Sequence, residues 1–165
     1  MQDKEIMDLI LPFKDKLYRF AYRIVGNSFE AEDIVQEILI KVWKKKEQFQ
    51  QIDNKEAWCM TMTRNLSIDK KRARKMKTTS IEDFHHLRDS TDNPAISMER
   101  KETVDHVRSV INSLPEKQAS VIHLRDIEGL SYKEIATAMD LSLDQVKVVL
   151  HRARKALKLK FLNNK

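Results

Sequence analysis

Glycine and proline are scarce in this sequence, two of the first and three of the second in 165 residues. Hairpins and sheets need tight turns, which draw heavily on those residues. β-Branched runs bounded by turn clusters are missing as well, so an all-α protein is expected. The single cysteine, Cys59, excludes an internal disulfide and any multi-cysteine metal site. It stands beside Trp58 in a helical pattern, which favours a buried structural role over a nucleophilic one. No stretch approaches the roughly 18 apolar residues of a membrane span, so direct membrane insertion is not expected. The N-terminus, MQDKEIMDLI, is acidic and lacks a signal-peptide layout, and the expected location is the cytoplasm.

Signs of catalysis are equally thin. The five histidines, including adjacent His85-His86, offer no ligand spacing on a common face, so neither metal nor cofactor is expected. No Ser/His/Asp set, P-loop or glycine-rich phosphate cradle is visible, and the chain reads as a non-enzyme.

What the chain does have is charge, and the charge is unevenly placed. Charged residues make up 34% against 41% hydrophobic, and 31 bases outnumber 25 acids for a formal net charge of +6. That balance favours a polyanionic partner without identifying one. Helical periodicity fills residues 5–77, broken at Gly26-Asn27 and near Gln50-Asp53. Asn27 is placed to cap a helix whose Glu30 follows three positions on. On that helix Ile34, Ile38 and Val42, with Val35, Leu39 and Trp43 alongside, form a stripe for a core. A further helix, from about Lys55 to Lys75, offers Trp58, Met62, Leu66 and Ile68 as its apolar face. Residues 78–105 hold seven acids against three bases and a breaker at Asp92-Asn93-Pro94. They read as an acidic linker with a helix resuming near Ile96. Residues 106–160 form a second helical domain, opened by a capping box at Ser113-Leu-Pro-Glu116.

Three constellations carry information about function. Asp33, Gln36 and Glu37 share one helix side at i, i+3 and i+4, suited either to a basic partner or to solvent. Lys70, Lys71, Arg72, Arg74, Lys75 and Lys77 follow Arg64 and Asn65, with Trp58, Thr61 and Thr63 just upstream. Cations beside amides and aromatics suit a melted nucleic-acid strand, although a charge run alone is a weak signal. The third is GLSYKEIATAMDLSLDQVKVVLHRARKALK, residues 129–158. Gly129 closes one helix, and Ser131-Tyr-Lys-Glu134 and Ser142-Leu-Asp-Gln145 are capping boxes eleven residues apart. Ile135, Ala136, Met139 and Leu141 supply an apolar side, with small Ala136 allowing a close crossing. Val146, Val149 and Leu150 face it from the second helix, whose other faces are basic. A short helix, a tight turn and a basic second helix match a helix-turn-helix that reads the major groove.

Together these stretches resemble the extracytoplasmic-function (ECF) sigma factors, the smallest members of the bacterial sigma-70 family. The likeness is carried by LYRFAYRIVGNSFEAEDIVQEILIKVWKK, by AWCMTMTRNLSIDKKRARK, and by LPEKQASVIHLRDIEGLSYKEIATAMD with VKVVLHRARKAL, in family order. It covers residues 10–77 and 110–160. It implies two small helical domains, sigma region 2 over 5–77 and region 4 over 106–160, joined by the acidic linker. It also implies an initiation factor that recruits RNA polymerase core enzyme to promoter DNA, and an anti-sigma factor, often membrane-anchored in the family, as a further partner. By position, Asp33, Gln36 and Glu37 fall where the family docks on the core enzyme. Asn65 falls where a flipped −10 base is captured, and Arg64, Lys70, Lys71, Arg72 and Arg74 lie along the non-template strand. Lys147, Val148, His151 and Arg152 occupy the −35-reading positions, while Arg154 and Lys155 are expected to grip phosphates. Two departures stand out. QVKVVLHRAR replaces the common TVKSRLHRAR, leaving Val148 to touch a thymine methyl. Asp140 stands where a turn glycine is common, and Asp tolerates the left-handed conformation better than most residues. The competing readings are a stand-alone helix-turn-helix regulator and, from another class, a small helical nuclease that uses the acids at 30–37 to hold magnesium.

Overall fold

The computed structural model describes residues 2–77 and 98–163, and every regular element among them is helical. Helices α1 (Gln2–Ile10), α2 (Lys14–Val25), α3 (Ser28–Lys44), α4 (Lys46–Gln51) and α5 (Lys55–Lys77) form one compact unit. Helices α6 (Met98–Asn112), α7 (Glu116–Ile122), α8 (Tyr132–Met139) and α9 (Leu143–Asn163) form a second. Helix α6 begins at Met98, so helix occupies the last part of the stretch read as linker. The Asp92-Asn93-Pro94 breaker, most of the linker acids and His85-His86 lie outside the described residues.

Local chemistry sets the breaks in the first unit. Pro12 sits in a 3-10 turn, Leu11–Phe13, because it has no N–H to continue α1. Gly26 ends α2 with φ +71°, and its N–H donates to the Tyr22 carbonyl. Asn27 then caps α3 as expected, its Oδ1 accepting from the Glu30 N–H at 3.1 Å. Ala31, Ile34, Val35, Ile38 and Val42 of α3 are buried, as are Leu17, Phe20, Ala21 and Ile24 of α2. Each large aliphatic side chain so buried contributes about 1.5–3 kcal/mol. Trp43, expected on the core stripe, is 46% exposed instead. Helix α3 ends one residue later, and α4 turns its Phe49 inward in place of that ring.

Helix α5 differs most from expectation. Its buried residues are Ala57, Cys59, Met60, Thr63 and Ser67, while Trp58, Met62, Leu66 and Ile68 are only half-buried. Small side chains at Ala57, Thr63 and Ser67 let α5 lie close against α2 and α3, so the polar residues take the inner face. The buried Thr63 hydroxyl donates to the Cys59 carbonyl at 2.8 Å, which removes the penalty of an unbonded polar group. Trp58 packs at the rim against Phe49, ring centroids 5.6 Å apart.

In the second unit the core comes from Val110, Ile111, Leu114, Val121, Ile122, Leu124, Leu130, Ile135, Met139, Val146 and Leu150. The capping box expected at Ser113 and Glu116 does not form. Pro115 is the residue before α7, the Ser113 hydroxyl donates to the Val110 carbonyl, and the Glu116 carboxylate accepts from Ser120. Ser113 therefore finishes α6, and proline with its extended ψ begins the next helix two residues later than expected. Helix α7 continues into a π-helical turn, His123–Ile127, where the Glu128 N–H donates to the His123 carbonyl. Inside this turn His123 Nε2 and the Glu128 carboxylate meet at 2.9 Å, both buried. Gly129 leaves the turn at φ +75°, and Arg125 bonds the Leu130 carbonyl and lies over the Tyr132 ring. Both remaining capping boxes form in full. Ser131 and Glu134 bond each other's backbone N–H, and so do Ser142 and Gln145. Between them Asp140 adopts φ 54°, ψ 51°, the left-handed turn expected of it. Ala138, rather than Ala136, is the fully buried small residue of α8.

Candidate nucleic-acid interface

On the first unit, α3 presents two kinds of surface. Asp33 and Gln36 are exposed and Glu37 is half-buried, all on the side turned away from Ile34 and Ile38. One turn on, Ile40 (52% exposed) and Trp43 extend that side with apolar surface, and Lys46 lies 5.3 Å from the Trp43 ring. The sequence pattern hid these two because an apolar residue beside a core stripe is indistinguishable from a member of it. Gln36 also borders a cavity of about 410 Å³ shared with Lys14, Asp15 and Tyr18 of α2.

The basic helix α5 splits into two groups. Asn65, Lys71 and Arg72 are exposed, and Arg64 is half-buried. Lys70 and Arg74, one turn apart, point instead toward α3. Lys70 Nζ stands 3.5 Å from Glu37, and Arg74 bonds both Glu30 (3.2 Å) and the Val25 carbonyl (2.7 Å). Arg74 therefore ties α5 to the corner between α2 and α3, capping a free carbonyl at the end of α2. Of the five cations expected along the non-template strand, Lys71 and Arg72 are exposed and Arg64 half-buried, whereas Lys70 and Arg74 already have carboxylate partners.

On the second unit, α9 buries Val146, Leu150 and Ala153 and exposes Lys147, Val148, His151, Arg152 and Lys155. At 100° per residue, Val148, Lys155, Arg152 and His151 lie nearly opposite the buried line, whereas Lys147 and Arg154 sit on one flank. Arg154 uses that flank. Its guanidinium donates to both oxygens of Asp126, at 2.6 and 3.2 Å, and this hydrogen bonding pushes its pKa further up. Asp126 had no sequence signal, because it lies 28 residues before its partner. The opposite flank, with Gln145 and Val149, faces the start of α7 across a groove of about 570 Å³. Among the described residues no group of three His, Cys, Asp or Glu side chains is arranged to hold a metal, the acids near 30–37 included.

Residues 9–76 match sigma-70 region 2, and residues 105–157 match sigma-70 region 4. The sequence is 30% identical over 166 residues to the RNA polymerase sigma-H factor of Pseudomonas aeruginosa, covering 94% of this chain and 86% of that one. The chain belongs to the sigma-70 family. Within that family it is an ECF sigma factor. It is 31% identical over 153 residues to the ECF RNA polymerase sigma factor SigE of Mycolicibacterium smegmatis, covering 92% of this chain and 59% of SigE. It is 29% identical to SigW of Bacillus subtilis, covering 92% and 86%. Among solved structures, the sigma factor RpoE in complex with the anti-sigma factor NepR, from Bartonella quintana, superposes with TM-score 0.78 at 25% identity. That match covers 98% of this chain and 99% of RpoE. CnrH in complex with the cytosolic domain of CnrY shares the fold, with TM-score 0.75 at 19% identity over 98% of this chain and 90% of CnrH. Sigma factors are initiation factors that bind RNA polymerase core enzyme and direct it to specific promoters. Region 2 of this one is the unit holding α3 and α5, and region 4 is the unit holding α9. A stand-alone helix-turn-helix regulator would carry no region 2, so the match over 9–76 removes that reading.

Proposed function

We propose that this sigma factor docks on core polymerase through Asp33, Gln36 and Glu37, and reads promoter DNA with α5 and α9. Asn65 takes up a base of the melted −10 element, and Arg64, Lys71 and Arg72 follow the strand's phosphates. Lys147, Val148, His151 and Arg152 read the −35 element, and Lys155 holds its backbone. The chain catalyses nothing itself, acts in the cytoplasm, and is held in reserve by an anti-sigma factor. The last point is supported by RpoE, which was captured with NepR.

The observation that carries this reading is the exposed face of α9. A helix opened by a complete capping box presents Val148, His151 and Arg152 on the side opposite its own core. In vitro transcription with purified core enzyme, mapped across a genome, tests it. Addition of the protein should create a new set of start sites that share a −35 and a −10 sequence. Replacing Asp33, Gln36 and Glu37 together by alanine should abolish those starts and core binding while helical circular dichroism persists. Full core affinity in that variant would remove these three residues from the interface.

A further inference from the structure

We propose that Gln118 is a positioning residue for promoter specificity: its amide oxygen holds the Arg152 guanidinium in the plane from which it reads a base. The proposal rests on the assignment of Arg152 to base reading and adds a residue from outside the helix-turn-helix. Helix α7 brings Gln118, and α9 brings Arg152, to one groove floored by Leu141, Val148 and Val149. Gln118 lines this groove, and its Oε1 is buried and accepts no hydrogen bond. An acceptor kept from water without a donor is destabilising, so it favours any donor that can reach it.

Arg152 is the donor with capacity to spare. A guanidinium has five N–H donors, and a bidentate contact to a guanine edge engages two of them. The edge left over is free to meet an amide oxygen behind it. Gln145, across the same groove, has its own amide oxygen committed to the Ser142 cap. Lys117 is a flexible point charge without a fork and projects about 100° around α7 from Gln118. The apolar floor matters too. Val148 and Val149 offer Arg152 no hydrogen-bond partner, and Asp144, the carboxylate of this groove, lies two helical turns before Arg152 on α9. Without Gln118 the guanidinium is free to swing to a phosphate, a contact that holds DNA without distinguishing sequence.

Binding-site selection with the full-length factor in holoenzyme tests this with Gln118→Leu, Gln118→Ala, Gln118→Glu, Arg152→Ala and the Gln118→Leu/Arg152→Ala pair. Thermal melts by circular dichroism confirm that each variant folds. Arg152→Ala should relax one base pair of the −35 element. Gln118→Leu and Gln118→Ala should relax that same base pair by about five- to tenfold, within the range of one bidentate contact. The paired variant should be no worse than Arg152→Ala alone, and Gln118→Glu, which keeps an acceptor, should retain the preference. If Gln118→Leu and Gln118→Ala keep the wild-type preference while Arg152→Ala relaxes it, the inference is wrong and the reading of α9 survives. Uniform weakening across all sequences by the Gln118 variants also overturns it, in favour of a backbone or structural role. An Arg152→Ala variant with unchanged preference removes the assignment of Arg152 itself.

Discussion

Lys70 of α5 and Glu37 of α3 form an ion pair at 3.5 Å, joining the helix assigned to promoter DNA to the helix assigned to core polymerase. The side chains are 29% and 44% exposed, so the pair contributes at most about 1 kcal/mol to folding. Its greater effect is on availability, because a lysine held by a carboxylate is a weaker ligand for phosphate.

Glu37→Gln should therefore change global stability by less than about 1 kcal/mol. It should raise the affinity of the free factor for a single-stranded −10 oligonucleotide by up to about fivefold, the equivalent of that energy. The same variant should weaken core binding. Fluorescence anisotropy with the oligonucleotide measures the first effect, and unchanged affinity would show that Glu37 does not withhold Lys70 from DNA.

Arg154 and Lys155 should separate in their salt dependence. The Arg154 charge is already opposed by Asp126 at 2.6 Å, whereas Lys155 is exposed beside Val148 and Arg152. Lys155→Ala should lower the slope of log affinity against log salt by roughly one phosphate contact. Arg154→Ala should lower it by clearly less, and Asp126→Asn should raise it. Equal slopes for the two alanine variants would return Arg154 to the phosphate-gripping set.

Cys59 should be inert in the native state. Burial pushes its thiol pKa up from 9.0 to about 12, and nearby Glu56 adds to the shift. The protonated thiol is a poor nucleophile, so maleimide should label the protein only as fast as it unfolds. The raised pKa also gives a sign for pH dependence. Below pH 9 the thiol is protonated folded and unfolded alike, and its contribution to stability is intact. Between 9 and 12 the unfolded thiol ionises first, so stability falls as pH rises. Denaturant titrations should show a steeper alkaline loss for wild type than for Cys59→Ala; parallel losses would mean the thiol ionises in place.

The turn between α8 and α9 carries two separable contributions. Asp140 holds φ 54° at the end of α8, where a side chain is disfavoured and a negative charge opposes the helix dipole. Asp140→Gly should stabilise the full chain by roughly 0.5–1 kcal/mol in denaturant melts. Ser142→Ala, which removes an N-cap acceptor, should cost about 1 kcal/mol. A destabilised glycine variant would show that the Asp140 side chain makes the turn.

The elements legible in the sequence were those specified by short-range chemistry. Asn27 with Glu30, Ser131 with Glu134, and Ser142 with Gln145 each pair within one turn, and each paired as read. Ser113 with Glu116 had the same spacing and failed because Pro115 delays the helix. That shows the limit of a motif read without its backbone. Helix α5 departs from its hydrophobic pattern on its inner face for a different reason. Hydrophobicity points to Trp58, Met62, Leu66 and Ile68, but close helix approach selects for size, and Thr63 and Ser67 are small; the Thr63 hydroxyl bonds the Cys59 carbonyl, while the Ser67 hydroxyl is buried without a partner. The candidate site shows the same division. The exposed positions of α9 followed from its periodicity, whereas Asp126, Gln118 and the α3 partners of Lys70 and Arg74 reach the site across long sequence separations.

The π-helical turn at His123–Ile127 sets the phase of everything that follows it. Such a turn holds one more residue than its α-helical equivalent, so the chain leaves it rotated by about 100° from a regular continuation. Gly129 and the buried His123–Glu128 pair hold that offset, which aims the apolar side of α8 at the core. Substitution is therefore the mild form of change in this stretch, and a shift in length is the severe one. Deleting a single residue between 123 and 127 would leave every side chain proposed to read bases present in the sequence. It would also turn α8 and α9 away from the surfaces they now bury.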